Sequence, residues 1–161
     1  MVSTYLSSKA IIDSLLANSQ FVNLAETIVN SNRGSATYLA AYVGLDNLLA
    51  SLGITERVNI MKSDGGFWYS NTRTPEDPEL NKNLNDRPEV FSAVNYAFGN
   101  PICNKKLYPL DLQSSVCSGY GFANRVSSTF GKSDQYVAKT YKPTSSPLNT
   151  DIFTLRITQD I

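Results

Sequence analysis

Two arginines and a group of phenols are the side chains here best suited to hold a small molecule. Arg87 stands in Asp86-Arg87-Pro88-Glu89 and Arg125 in Arg125-Val126-Ser127. A guanidinium is a planar fork of N–H donors that grips a carboxylate or phosphate through two parallel hydrogen bonds. Two of them on neighbouring elements make an anion site. Both residues also have plainer uses. Arg87 can pair with Glu89 or Asp64 and fix its own loop, and Arg125, alternating with apolar neighbours, can point into solvent. Trp68, Tyr69, Tyr96, Tyr120 and Tyr136 can line a mostly apolar pocket with a few directional hydroxyls, or pack a core with hydroxyls reaching the surface. On one strand Trp68 and Tyr69 point to opposite faces, so at most one of them looks into a pocket on the sheet.

Other chemistry is narrowed by what the sequence lacks. There is no histidine, which removes imidazole general bases, Ser-His-Asp and Cys-His nucleophiles and His-ligated zinc. Two cysteines cannot build a four-thiolate metal site. Asp64, Glu76, Asp77, Glu79 and Asp86 crowd one region but lack the spacing of an EF-hand loop, and loop carboxylates beside proline are commonly solvated. No motif implies a metal or cofactor, and the expectation is a protein that is not an enzyme. Lys plus Arg equals Asp plus Glu, at 14 each. That balance argues against a nucleic-acid partner bound by broad phosphate neutralisation.

These side chains must be positioned by one domain, since 161 residues is the usual size of a single core. Residues 1–53 contain no proline and repeat Leu, Ala, Ile and Val at helical spacing. Tyr5, Leu6, Ile11, Ile12, Leu15 and Leu16 form an arc wider than one buried stripe requires, which predicts a homodimer or partner contact through the first helix. Asn18-Ser19 breaks that helix, a second runs from about Val22 to Asn30, and a third from about Ser35 to Leu52, with Gly53 where a terminating glycine belongs.

From Arg57 the pattern turns to strands. Val58 to Lys62 alternates, Ser63-Asp64-Gly65-Gly66 is a turn, and Phe67 to Ser70 returns. Thr72 to Asn85 reads as a loop. A helix starts near Asp86, capped by Asp86 with Pro88 in its first turn. Residues 99–118 form an insertion, followed by strands at about 121–130, 135–142 and 151–159, with a tight turn at 131–134. The order predicts an α+β domain, N-terminal helices packed on a five-stranded antiparallel sheet with a capping helix over 57–161. No apolar run is long enough for membrane insertion.

Three stretches resemble one family. Ile60-Met61-Lys62-Ser63-Asp64-Gly65-Gly66-Phe67-Trp68-Tyr69-Ser70-Asn71, Asp86-Arg87-Pro88-Glu89-Val90-x-x-Ala93, and Gly119-Tyr120-Gly121-x-x-x-Arg125-x-Ser127-x-Thr129-x-Gly131 followed by Tyr136-Val137-Ala138 are similar to successive motifs of Cache domains. These are the PAS-like sensor domains of bacterial histidine kinases and chemoreceptors. The stretches cover about residues 57–142 in order. The resemblance implies a single PAS-like Cache domain that binds a small, anionic ligand without catalysis, with Arg87 beside the pocket and Tyr69, Tyr96, Tyr120 and Arg125 as its further candidates. It also implies an extracytoplasmic origin. The start, Met1-Val-Ser-Thr-Tyr-Leu, lacks a secretory signal, so a chain with no removed signal or anchor would be intracellular or particle-associated. Neither the transmembrane helices nor the output module of such sensors is present, and the expected form is stand-alone. The alternative is a structural subunit of an assembly, for instance a virus particle, which kept the fold and filled the pocket.

Cys103 and Cys117 enclose 13 residues, and a bridge closing such a loop stabilises by about 3 kcal/mol. They lack the C-x-x-C spacing of a redox centre and are either a structural staple or two unrelated thiols. A bridge predicts no alkylation without reductant, read by mass spectrometry. Two alkylated cysteines in the non-reduced native protein would exclude it.

Overall fold

The computed structural model describes residues 2–99, 118–126, 133–142 and 152–160. Cys103, Cys117 and most of the 99–118 insertion lie outside them. The architecture is α+β, with four helices on a five-stranded antiparallel sheet. The helices are α1 (Val2–Leu16), α2 (Ser19–Asn30), α3 (Ala36–Ser51) and α4 (Pro88–Ala97), and the strands are β1 (Arg57–Lys62), β2 (Phe67–Ser70), β3 (Tyr120–Val126), β4 (Ser133–Tyr141) and β5 (Phe153–Asp160). A short 3-10 helix (Pro78–Asn81) lies in the segment expected to be loop. The order across the sheet is β2-β1-β5-β4-β3, every pair antiparallel. No described helix is long and apolar enough to cross a membrane.

Local chemistry sets the boundaries. The Asn18 side chain accepts from the Phe21 N–H and starts α2 three residues earlier than expected, and Ser35 caps α3 in the same way. Asp86 does not cap α4. Pro88 biases the residue before it toward extended backbone, so Arg87 (φ −71°, ψ 130°) is the N-cap and makes no side-chain cap bond. Ser133 and Asp134, expected in a turn, already belong to β4 and pair with Val126 and Arg125.

Strict alternation makes the two sheet faces chemically different. Phe153, Leu155 and Ile157 of β5, with Val58, Ile60, Val137 and Phe122 in register beside them, face α1–α3. Tyr5 meets Phe122 at 5.6 Å and Phe21 meets Phe153 at 6.5 Å between ring centres. Thr154, Arg156 and Thr158 face the other way, toward α4, and all three are buried. The sheet covers α1 more fully than its arc suggests. Tyr5, Ile12 and Leu15 are buried, Ile11 and Leu16 are half-buried, and only Leu6 of the six is exposed. The basis for an interface through α1 thus shrinks to one side chain.

A β-bulge changes the expected placement of Trp68 and Tyr69. Ile60 pairs with Tyr69 but Met61 pairs with Phe67, which leaves Trp68 as the extra residue. Both rings then pack on α3, Trp68 at 5.9 Å from Tyr38 and Tyr69 at 4.6 Å from Tyr42. The tyrosine hydroxyls also close the open edge of β2. Tyr38 donates to the Trp68 carbonyl at 2.8 Å and Tyr42 to the Ser70 carbonyl at 2.6 Å. Four helix residues rise about 6 Å and two strand residues span about 6.6 Å, so i, i+4 tyrosines match i, i+2 carbonyls. Tyr42→Phe removes a buried hydroxyl that bonds the Ser70 carbonyl and amide and the Arg73 carbonyl. It is expected to cost about 1–3 kcal/mol in urea unfolding, and Tyr38→Phe less. Equal midpoints for the parent and Tyr42→Phe would contradict this edge role.

Candidate functional site

The polar sheet face is organised around Glu89 in the first turn of α4, which is 0 % exposed. Arg125 of β3 grips it with both nitrogens, Nη1 to Oε1 at 2.5 Å and Nη2 to Oε2 at 2.9 Å. Arg156 of β5 donates to Oε2 at 3.0 Å and turns its Nε and second Nη to the Asn59 side-chain oxygen at 3.2 and 3.1 Å. Both guanidinium groups lie over the Tyr136 ring, at 3.9 and 5.0 Å. Arg57 of β1 pairs with buried Asp134 of β4 at 2.9 Å.

A glycine allows this approach. A Cβ on Gly121 of β3 would lie 1.8 Å from the Glu89 carbonyl oxygen, so α4 meets β3 backbone to backbone. Burial alone would push the Glu89 carboxyl up, but the hydrogen bonds and charges of Arg125 and Arg156 outweigh it and hold the carboxyl below its ordinary value. Burial pulls Arg156 down and the Glu89 charge opposes it. An arginine so placed stays protonated.

Beside this network a cavity of about 330 Å³ opens. Its sheet wall is Arg57, Asn59, Arg125, Tyr136, Arg156 and Thr158. The opposite wall comes from β2 and the segment leading to α4, with Phe67, Ser70, Thr72, Arg73, Glu79, Lys82, Leu84 and Arg87. That segment is tied to the β1–β2 turn. The Leu84 N–H donates to the Gly65 carbonyl at 2.8 Å and Asn83 Nδ2 to the Asp64 carbonyl at 3.0 Å. Gly65 has φ 91°, and a Cβ there would come within 2.4 Å of Asn85 Cβ, so glycine is needed on both counts.

The five ligand candidates do not share one pocket. Arg87 and Arg125 line the cavity. Arg87 pairs with Asp86 at 2.7 Å, not with Glu89 or Asp64, and Arg125 is held by Glu89 instead of pointing free into solvent. Tyr69 is buried on the helical face and donates to Asp46 of α3 at 2.5 Å; burial, reinforced by that carboxylate, raises its hydroxyl pKa. Tyr120 donates to Asp13 of α1, and its hydroxyl is also raised, by burial and by Asp13. Strand parity explains the split, because Tyr120 and Arg125 are five residues apart and fall on opposite faces. Tyr96 is exposed on α4 beside Gly119, at a second, more apolar cavity of about 380 Å³.

The crowded carboxylates have local tasks. Asp77 caps the 3-10 helix and pairs with Arg73, Glu79 pairs with Lys82, and Asp64 accepts from the Gly66 N–H. Among the described residues no group of three or more carboxylates and thiols could hold a metal. Arg57, Arg73, Lys82 and Arg156 belong to the cavity although the sequence reading leaves them out of the site, and Tyr136, weighed there as a pocket phenol, lines it too. For Arg156 a signal exists, because Phe153-Thr154-Leu155-Arg156-Ile157-Thr158 sets an arginine on the polar face of a strongly apolar strand. Comparisons with family models, curated proteins and solved structures return no match to this chain.

Glu89→Gln is expected to destabilise the fold by about 3–5 kcal/mol at neutral pH, because it strips the counter-charge from buried Arg156. The carboxyl is depressed below its ordinary 4.5, so its contribution is complete above that value and is lost as pH falls through the folded-state pKa. The gap between parent and variant in urea midpoint should therefore narrow below about pH 4.5. A gap independent of pH would show that the charge is not the cause.

Proposed function

We propose that this chain is a non-catalytic binding domain for a small anion, related to the PAS-like Cache sensors, with the cavity on the polar sheet face as its site. The observation that carries the reading is one cavity walled by six cationic side chains, Arg57, Arg125 and Arg156 from three strands and Arg73, Lys82 and Arg87 from the segment between β2 and α4. Its volume of about 330 Å³ lies in the range of small-molecule sites. A structural subunit that had lost its pocket would fill this space with Phe, Leu and Tyr, and the open volume favours binding. The family reading draws support from how the resembling stretches meet. The Asp64-Gly65 turn anchors the loop wall, the helix opening at Arg87-Pro88-Glu89 supplies Arg87 and Glu89, and the strand from Gly119 supplies Gly121 and Arg125. Three separate segments thus build one site.

A thermal-shift screen of small carboxylates, phosphates and amino acids tests the reading. A ligand at one hundred times its dissociation constant adds about 2.7 kcal/mol, a rise of roughly 5–10 °C for a chain of this size. Arg87→Ala is expected to keep the fold, since among the described residues Arg87 pairs with exposed Asp86 alone, and to lose the shift. A parent indifferent to every anion, or an Arg87→Ala variant that binds as tightly as the parent, would overturn the proposal.

A further inference from the structure

The charge arrangement of the cavity goes further and rests on the anion-binding reading above. Its floor and its loop wall are built differently. On the floor Arg57, Arg125 and Arg156 share two buried carboxylates, Asp134 and Glu89. The carboxylate of each pair is buried, and Arg125 holds Glu89 through two bonds, so a ligand adds to these pairs and does not replace them. The arithmetic leaves three guanidinium groups on two carboxylates, and the floor favours one further negative charge.

On the loop wall Arg73, Lys82 and Arg87 pair with Asp77, Glu79 and Asp86. These pairs lie near the surface; the Asp86 side chain is 72 % exposed. Exposed pairs of this kind stabilise little and open readily to a competing anion. A ligand that reaches from floor to wall therefore meets cations at both ends. A positive group on that ligand meets six cations and a single carboxylate among the described lining residues. Glu79 is the one carboxylate lining the cavity among the described residues, and Lys82 occupies it at 2.8 Å. The Asn59 side-chain oxygen is taken by Arg156.

We propose that the ligand carries at least two negative charges and no ammonium group, as a phosphorylated or polycarboxylate small molecule does, and that the cavity discriminates against zwitterions such as free amino acids. The lining is mostly polar, with Ser70, Thr72 and Thr158 hydroxyls between the cations, which suits a strongly hydrated polyanion over one with a large apolar body.

Isothermal titration of the full chain at fixed low ionic strength decides it, with inorganic pyrophosphate, acetate and two matched pairs as probes, glutarate against glutamate and phosphoglycerate against phosphoserine. Within each pair the second compound carries an ammonium group that the first lacks. The expected result is that pyrophosphate binds and that the ammonium-free member of any binding pair is at least about tenfold tighter. Pyrophosphate binding alone also supports the inference. Glutamate or phosphoserine binding as tightly as its partner, or acetate binding as tightly as the dianions, overturns it while the anion-binding reading stands. If no probe binds, that reading itself fails. Lys82→Gln locates the event, since its side chain is exposed and outside the Glu89 network. It should weaken pyrophosphate several-fold, and an unchanged affinity would put the binding elsewhere and overturn the assignment.

Discussion

A carboxylate sealed between two guanidinium groups governs this molecule. Glu89 is taken wholly out of water, a state that costs several kcal/mol unless charge and hydrogen bonds offset it. Arg125 and Arg156 provide that offset from β3 and β5, on either side of β4. The α4 helix is thereby fixed to the sheet at one register, and the contact at Gly121 leaves no room for sliding. Removing Glu89 leaves two guanidinium groups without their shared counter-charge, and removing either arginine takes away one of the two strands that hold α4. The network therefore specifies where α4 sits more than it adds net stability.

That constraint divides the sheet into two working surfaces. The face toward α1–α3 is apolar and filled, and it carries the bulk of the hydrophobic core. The face toward α4 is charged, and among the described residues α4 with the 3-10 segment covers only part of it. The uncovered part is the cavity. Pairs with buried carboxylates line its floor and more exposed pairs line its wall. At the β2 edge Tyr38 and Tyr42 close the backbone groups that a free strand would offer to another chain.

Much of the fold is legible in local pattern. The alternation in β1 and β5, the Asp64-Gly65 turn and the Gly53 stop each announce their element within a few residues. Distances along the chain explain what is not legible. Glu89 finds Arg125 after 36 residues and Arg156 after 67, and no local pattern announces such a pairing. The bulge that turns Trp68 onto α3 depends on β1 opposite it, not on its own neighbours. Of the five candidate ligand residues, Arg87 and Arg125 reach the cavity because their elements converge on the polar face. Tyr69 and Tyr120 do not, because the parity of their strands commits them to the helical face, where Asp46 and Asp13 receive their hydroxyls.

The proposed anion would enter beside an intact Glu89 network. Arginine side-chain Nε–H resonances, followed by NMR as pyrophosphate is added, report on it directly. The account predicts that the Arg125 and Arg156 signals are protected from water exchange before any ligand is added and stay so throughout. Arg57, Arg73 and Arg87 should shift together, and Arg33, which lies against Trp68 at 4.0 Å outside the cavity, should not. Unprotected Arg156 in the free protein, or a titration that moves Arg33 and leaves the cavity arginines unchanged, would contradict it.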